Sequence, residues 1–253
     1  MIPLHFKQLG HGEPLVLLHG LFGSGDNWFG VAPKLAEKFH VFAPDLRNHG
    51  HSPHHLEMDY PLMTADVEKF FVEQKIASAY VIGHSMGGKV AMQFALDFPA
   101  RVKKLVVVDM APRAYARTHD PIFAALLALD LKSFQTRSQI EDALAPEIPS
   151  LNLRRFLLKN LSRDDRGNFV WKMNLRGVAE NYSRLGEVLS PQNHFEKPTL
   201  FIRGGRSDYI APTDELEIRR LFPAAKIQTI AAANHWVHAD APEEFLRLVL
   251  DFL

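Results

Sequence analysis

The chain has 253 residues, 47% of them hydrophobic, enough to bury a substantial core in one domain or in a core with an insertion. Its 29 basic and 29 acidic residues cancel to a formal net charge of +0, which excludes a global field that would recruit nucleic acid or an anionic membrane and leaves a small, locally recognised molecule as the expected partner. Cysteine is absent, which removes disulfides, thiolate nucleophiles and Cys-based zinc sites.

The first ten residues carry neither a basic segment followed by an apolar one nor any span near the ~20 apolar residues of a membrane helix, so a soluble, cytoplasmic protein is expected. Apolar runs at 15–18, 41–43 and 80–82 end in His19-Gly20, Pro44-Asp45 and Gly83, and each reads as a buried parallel strand. Helical spacing fills 28–38, 63–74 and 90–97 between and after them, and a further strand at 104–108 ends at Asp109. Strands alternating with helices predict an α/β fold with a mostly parallel sheet. From 113 to 190 the rhythm changes to helical spacing alone, at 122–131, 140–144, 153–161 and 178–189, which predicts an inserted helical cap joined through Ala111-Pro112 and Pro191. Strands resume at 199–202 and 226–230 around a helix at 214–221, and Pro242 opens a last helix where proline is tolerated. The expected division is a core of 1–112 with 191–253 and a cap of 113–190.

Gly83-His84-Ser85-Met86-Gly87 follows a strand and precedes a helix, the setting in which a GxSxG pattern forms a nucleophile elbow rather than a helix cap. Small residues on either side let strand and helix approach while the turn lifts the Ser85 hydroxyl above the sheet. His19-Gly20-Leu21-Phe22-Gly23 follows the first core strand, and the backbone N–H groups of Leu21 and Met86 are the candidate oxyanion donors, each worth about 3 kcal/mol at the transition state. Of 13 histidines, His235 lies just after the last strand, where a general base belongs; His238 competes but falls beyond the strand-end turn. Two carboxylates compete for the third place. Asp208 follows the strand at 199–202, and Asp109 follows the preceding core strand; either could hold the imidazole in the tautomer that accepts the serine proton.

The histidine-rich loop Arg47, His49, His51, His54 and His55 lacks the helical ligand pair of a metal site and is expected at the sheet edge, with Arg47 pairing a carboxylate. His119 and Phe123 at the entry to the cap, with Phe22 and Trp236 beside the catalytic loops, are candidate substrate contacts, and Asp120 doubles as a helix cap.

The segments His19 to Gly23, Asp45-Leu46-Arg47-Asn48-His49-Gly50-His51-Ser52, Gly83 to Lys89, Val108-Asp109-Met110-Ala111-Pro112, His119-Asp120 with Ile122-Phe123, Arg203-Gly204-Gly205 and His235-Trp236-Val237-His238-Ala239 span nearly the whole chain. In them the sequence resembles α/β-hydrolase fold esterases of the YbfF type and the related abhydrolase-domain-11 proteins. The resemblance implies a small helical cap, carboxylesterase activity on short- to medium-chain acyl esters, no cofactor, no metal, and Asp109 rather than Asp208 as the acid. Thioester, lactone and carbon–carbon bond hydrolysis use the same machinery and stay open, as does a ligand receptor on the same fold. Monomer and homodimer are both compatible with the sequence.

Overall fold

The computed structural model describes residues 1–189 and 193–253. Within them the strands are β1 (Phe6–Leu9), β2 (Glu13–Leu18), β3 (Phe39–Pro44), β4 (Ala79–His84), β5 (Val102–Val108), β6 (Leu161–Arg163), β7 (Phe169–Trp171), β8 (Thr199–Gly204) and β9 (Ala225–Ile230). Seven of them form one sheet in the order β1-β3-β2-β4-β5-β8-β9, and β6 pairs with β7 as a separate ribbon. β1 runs antiparallel to β3, and every other pairing in the large sheet is parallel.

Both faces of the sheet are covered, which is why its central strands read as unbroken apolar runs. On β2, Val16 and Leu18 enter one core cluster and Leu15 and Leu17 the other, all four at 0% exposure. Helices α1 (Ala32–Leu35), α2 (Tyr60–Glu73) and α3 (Met86–Asp97) make the crossovers of the first half. The long connection from β5 to β8 holds α4 (Asp120–Leu127), α5 (Arg137–Ala143), α6 (Leu151–Leu157), the β6–β7 ribbon, α7 (Leu175–Glu180) and α8 (Tyr182–Leu185). α9 (Glu215–Leu221) joins β8 to β9, and α10 (Val237–Asp240) and α11 (Pro242–Phe252) end the chain. Among the described residues no helix is long and apolar enough to cross a membrane.

Four local expectations change. β1 carries no apolar run, because it lies at the sheet edge with most of its residues exposed. The helix expected over 28–38 is a 3₁₀ turn at Gly25–Trp28 followed by the four residues of α1. The segment expected to be wholly helical contains the β6–β7 ribbon, whose strands are three residues each and whose turn is built by Asp164, accepting from the amides of Arg166 and Asn168 at 3.0 and 2.8 Å, and by Gly167 at φ +81°. The histidine loop after β3 departs from expectation only in part: Arg47 pairs a carboxylate as expected, Asp66 at 2.6 Å, and His51, His54 and His55 are exposed, but the Arg47 and Asp66 side chains are each only 1% exposed and His49 is buried against His19 with ring centroids 5.2 Å apart.

The ends of the long connection meet where Leu189 donates to the Pro112 carbonyl at 3.0 Å; the junction expected at Pro191 lies outside the described residues. One turn after Ser85 on α3, the fully buried Lys89 donates to the Glu187 carbonyl and sits over the rings of Tyr60 and Tyr115, at 5.2 and 5.0 Å. With burial as the main cause and Arg113 adding to it, its pKa falls to about 7.

Candidate active site

The elbow forms because β4 and α3 must leave and enter a single residue. Ser85 takes φ +53° and ψ −121°, a conformation that L-residues avoid, and its amide donates to the Val108 carbonyl at 3.1 Å. The close approach around it needs glycine: a Cβ on Gly83 would lie 2.2 Å from the Gly87 carbonyl oxygen, and one on Gly87 2.4 Å from that of Leu18. Met86 opens α3, so its N–H is one of the amides that a helix start leaves without an intrahelical acceptor.

The loop His19 to Gly23 is stiffened by His19, whose ring is buried. Its Nε2 accepts from the Leu46 amide at 2.9 Å, so Nδ1 carries the proton and donates to the Gly20 carbonyl at 2.9 Å. Asn160, from the long connection, donates to the Phe22 carbonyl at 2.7 Å. Among the described residues neither the Leu21 nor the Met86 amide has a hydrogen-bond acceptor.

His235 meets Asp109: Nδ1 and Oδ2 are 2.8 Å apart, and the carboxylate is 0% exposed. Asp109 itself stands at φ +48°. Its Oδ1 accepts from the Gly204 amide at 2.9 Å, and its Oδ2 also accepts from the Ser207 hydroxyl. The Tyr209 ring stacks on that of His235 at 3.7 Å and 18°. His84 Nε2 donates to the His235 carbonyl at 2.9 Å. Asp208 lies on the cavity wall, but its side chain does not meet His235; its carbonyl accepts from Arg113 at 3.1 Å. The loop around Asp208 thus serves the site with Ser207 and Tyr209 rather than with the carboxylate.

Ser85, His235, Leu21 and Met86 open onto one cavity of about 420 Å³, within the usual range for small-molecule sites. The Ser85 hydroxyl makes no hydrogen bond among the described residues, a common state before substrate arrives. Of the residues expected to touch substrate, Phe22, Trp236 and His119 line the cavity. Phe123 does not: it packs behind Phe22 and Tyr182, at 4.8 and 5.1 Å between ring centroids. Asp120 is the first residue of α4 rather than its cap, and it pairs with Arg117 at 2.8 Å. Ile122, Leu153, Phe156, Tyr182 and Leu185 close the cavity from the long connection. His238, the competing histidine, is buried between Trp28 and Phe245, at 4.5 and 6.1 Å. Ser207, Tyr209, His84 and Asn160 escape a reading of the sequence, since each acts through a partner far along the chain.

His49 and His238 are buried neutral, and burial first, with neighbouring histidines second, holds both down to about 3. Once unfolded, each titrates near ~6.5. Below that pH the unfolded chain binds protons that the folded chain refuses, so stability falls as pH drops from about 6.5 toward 3, by up to about 1.4 kcal/mol per unit for each histidine. The urea midpoint is expected to be clearly lower at pH 5 than at pH 7; equal midpoints would show that these rings are not buried neutral.

The family model described as alpha/beta hydrolase fold matches residues 13–242. The sn-1-specific diacylglycerol lipase ABHD11 of Danio rerio is 38% identical over 257 residues, covering 98% of this chain and 80% of the relative. Esterase YbfF of Escherichia coli K12 is 36% identical over 246 residues, covering 96% of this chain and 94% of the relative. A solved structure titled marine microorganism esterase superposes with a TM-score of 0.98 at 42% identity, covering 100% of both chains.

Proposed function

The chain belongs to the α/β hydrolase fold family and is an esterase/lipase-type serine hydrolase, and from that premise we propose that it is a carboxylesterase for short- to medium-chain acyl esters, with Ser85 as nucleophile, His235 as base and Asp109 as the acid. The observation that carries the choice of residues is the 2.8 Å contact between His235 Nδ1 and Asp109 Oδ2 beside a serine held at positive φ. Because Nδ1 carries the proton toward Asp109, Nε2 is the basic nitrogen.

His235 takes the Ser85 proton as Oγ attacks the ester carbonyl. The amides of Leu21 and Met86 hold the oxyanion, His235 returns the proton to the departing alcohol, and water repeats the sequence on the acyl-enzyme. Asp109 keeps its charge throughout and stabilises the imidazolium. Residues 113–190 act as the cap that bounds the acyl group. The proposal includes a cytoplasmic location, a monomer or homodimer, and chemistry that needs no cofactor.

A panel of p-nitrophenyl esters from acetate to palmitate, run beside the matching thioesters, tests the substrate class. The expected kcat/KM is highest between butyrate and octanoate and at least about tenfold lower for palmitate. A maximum at palmitate, faster cleavage of a long-chain diacylglycerol, or a thioester preference would overturn it. Repeated turnover separates an enzyme from a receptor that is acylated once.

A further inference from the structure

His119 sits at the start of α4 and lines the cavity that Ser85 and His235 open onto. Its orientation is set by a neighbour outside the reaction. The Tyr182 hydroxyl oxygen accepts from the His119 backbone amide at 3.2 Å, and its proton is free to go to the His119 ring, whose Nδ1 lies 2.6 Å away. With the phenol donating, Nδ1 is the acceptor and the neutral ring carries its proton on Nε2. Among the described residues no protein group accepts from that Nε2. A ring whose one nitrogen is locked by a tyrosine and whose other nitrogen is left as an unused donor, in the wall of a largely apolar cavity, is built to meet an acceptor on the ligand.

His119 and His235 line the same cavity. The departing alcohol receives its proton from His235, so that half of the ester lies against the His235 ring. His119 is close enough to His235 for a charge on one to disfavour a charge on the other, and burial, the larger effect, lowers its pKa further. Both effects favour the neutral ring, which can donate without repelling the charge that forms on His235.

We infer that His119 Nε2–H is a specificity-determining donor that selects esters whose alcohol half carries a second oxygen near the ester, such as hydroxyalkyl and alkoxyalkyl esters, over plain alkyl esters. The inference rests on the assignment of Ser85 and His235. Phe22 and Tyr182 flank the ring, with centroids 6.1 and 5.7 Å from it.

The test compares 2-methoxyethyl butyrate with n-butyl butyrate, a matched ester in which a methylene replaces the ether oxygen. One neutral hydrogen bond predicts a kcat/KM ratio of about three to ten in favour of the methoxyethyl ester. In His119→Phe the ratio falls to about one, whatever happens to the absolute rates. In His119→Gln, whose amide can still donate, part of the preference returns, and in Tyr182→Phe, where the tautomer is unlocked, the ratio is intermediate. A wild-type ratio near one, or an unchanged ratio in His119→Phe, overturns the role of His119. Persistence of both hydrolyses in Ser85→Ala overturns the catalytic assignment instead, and wild-type failure to cleave either ester overturns both.

Discussion

Replacing Ser85 by alanine is expected to lower kcat on a short-chain ester by about 10⁴- to 10⁶-fold, the range in which a triad serine is lost while the oxyanion donors and binding contacts persist. The change removes one oxygen from a residue 8% exposed whose hydroxyl holds no other part of the fold in place. Its backbone, at φ +53°, is held by the Val108 carbonyl and by the close glycines on either side. The variant should therefore keep the wild-type melting temperature within a few degrees and still bind ester. Steady-state kinetics and thermal denaturation of the two proteins separate lost chemistry from lost folding, and a loss below about a hundredfold would mean that another group performs the attack.

The second large effect is expected at Asp109. Asparagine in its place offers an N–H where His235 now finds an acceptor, so the imidazole turns or takes the other tautomer and no longer presents a basic Nε2. A loss of about 10⁴ in kcat is the scale for that exchange. Asp208→Asn is expected to cost no more than about threefold, since its carboxylate does not meet the histidine. Part of the Asp109 effect is structural, because this buried carboxylate also accepts from the Gly204 amide and the Ser207 hydroxyl. Urea denaturation of both variants isolates that part. The opposite ranking, with Asp208→Asn the dead enzyme, would move the acid to the β8 corner.

How far the sequence reveals this arrangement depends on how local each feature is. The sheet is legible because a strand buried on both faces must be apolar at consecutive positions, as in Leu15 to Leu18 and Leu105 to Val108. The elbow is legible because its glycines, its serine and its flanking elements are all neighbours in the chain. β1 and the β6–β7 ribbon escape detection because each strand is only three or four residues long, so periodicity has almost nothing to act on.

The acid stays ambiguous for a different reason. Asp109 and the Asp208 loop leave neighbouring parallel strands, with Val108 paired to Ile202, so both approach the same corner of the sheet. Only the backbone turn at Asp109, φ +48°, aims its carboxylate at His235. Composition and spacing carry no trace of that angle. The Ser207 contact to Asp109, the Asn160 contact to the Phe22 carbonyl and the Tyr182 lock on His119 likewise join residues far apart in the chain, and each emerges only once the fold has brought its partners together.

The most direct measurement of the assignment is covalent trapping. Incubation with an alkyl fluorophosphonate, followed by intact-mass and peptide mass spectrometry, should yield a single adduct on Ser85, formed at a rate that Asp109→Asn lowers sharply and Asp208→Asn barely alters. An adduct on any other residue, or undiminished labelling and turnover in Ser85→Ala, would show that the nucleophile lies elsewhere.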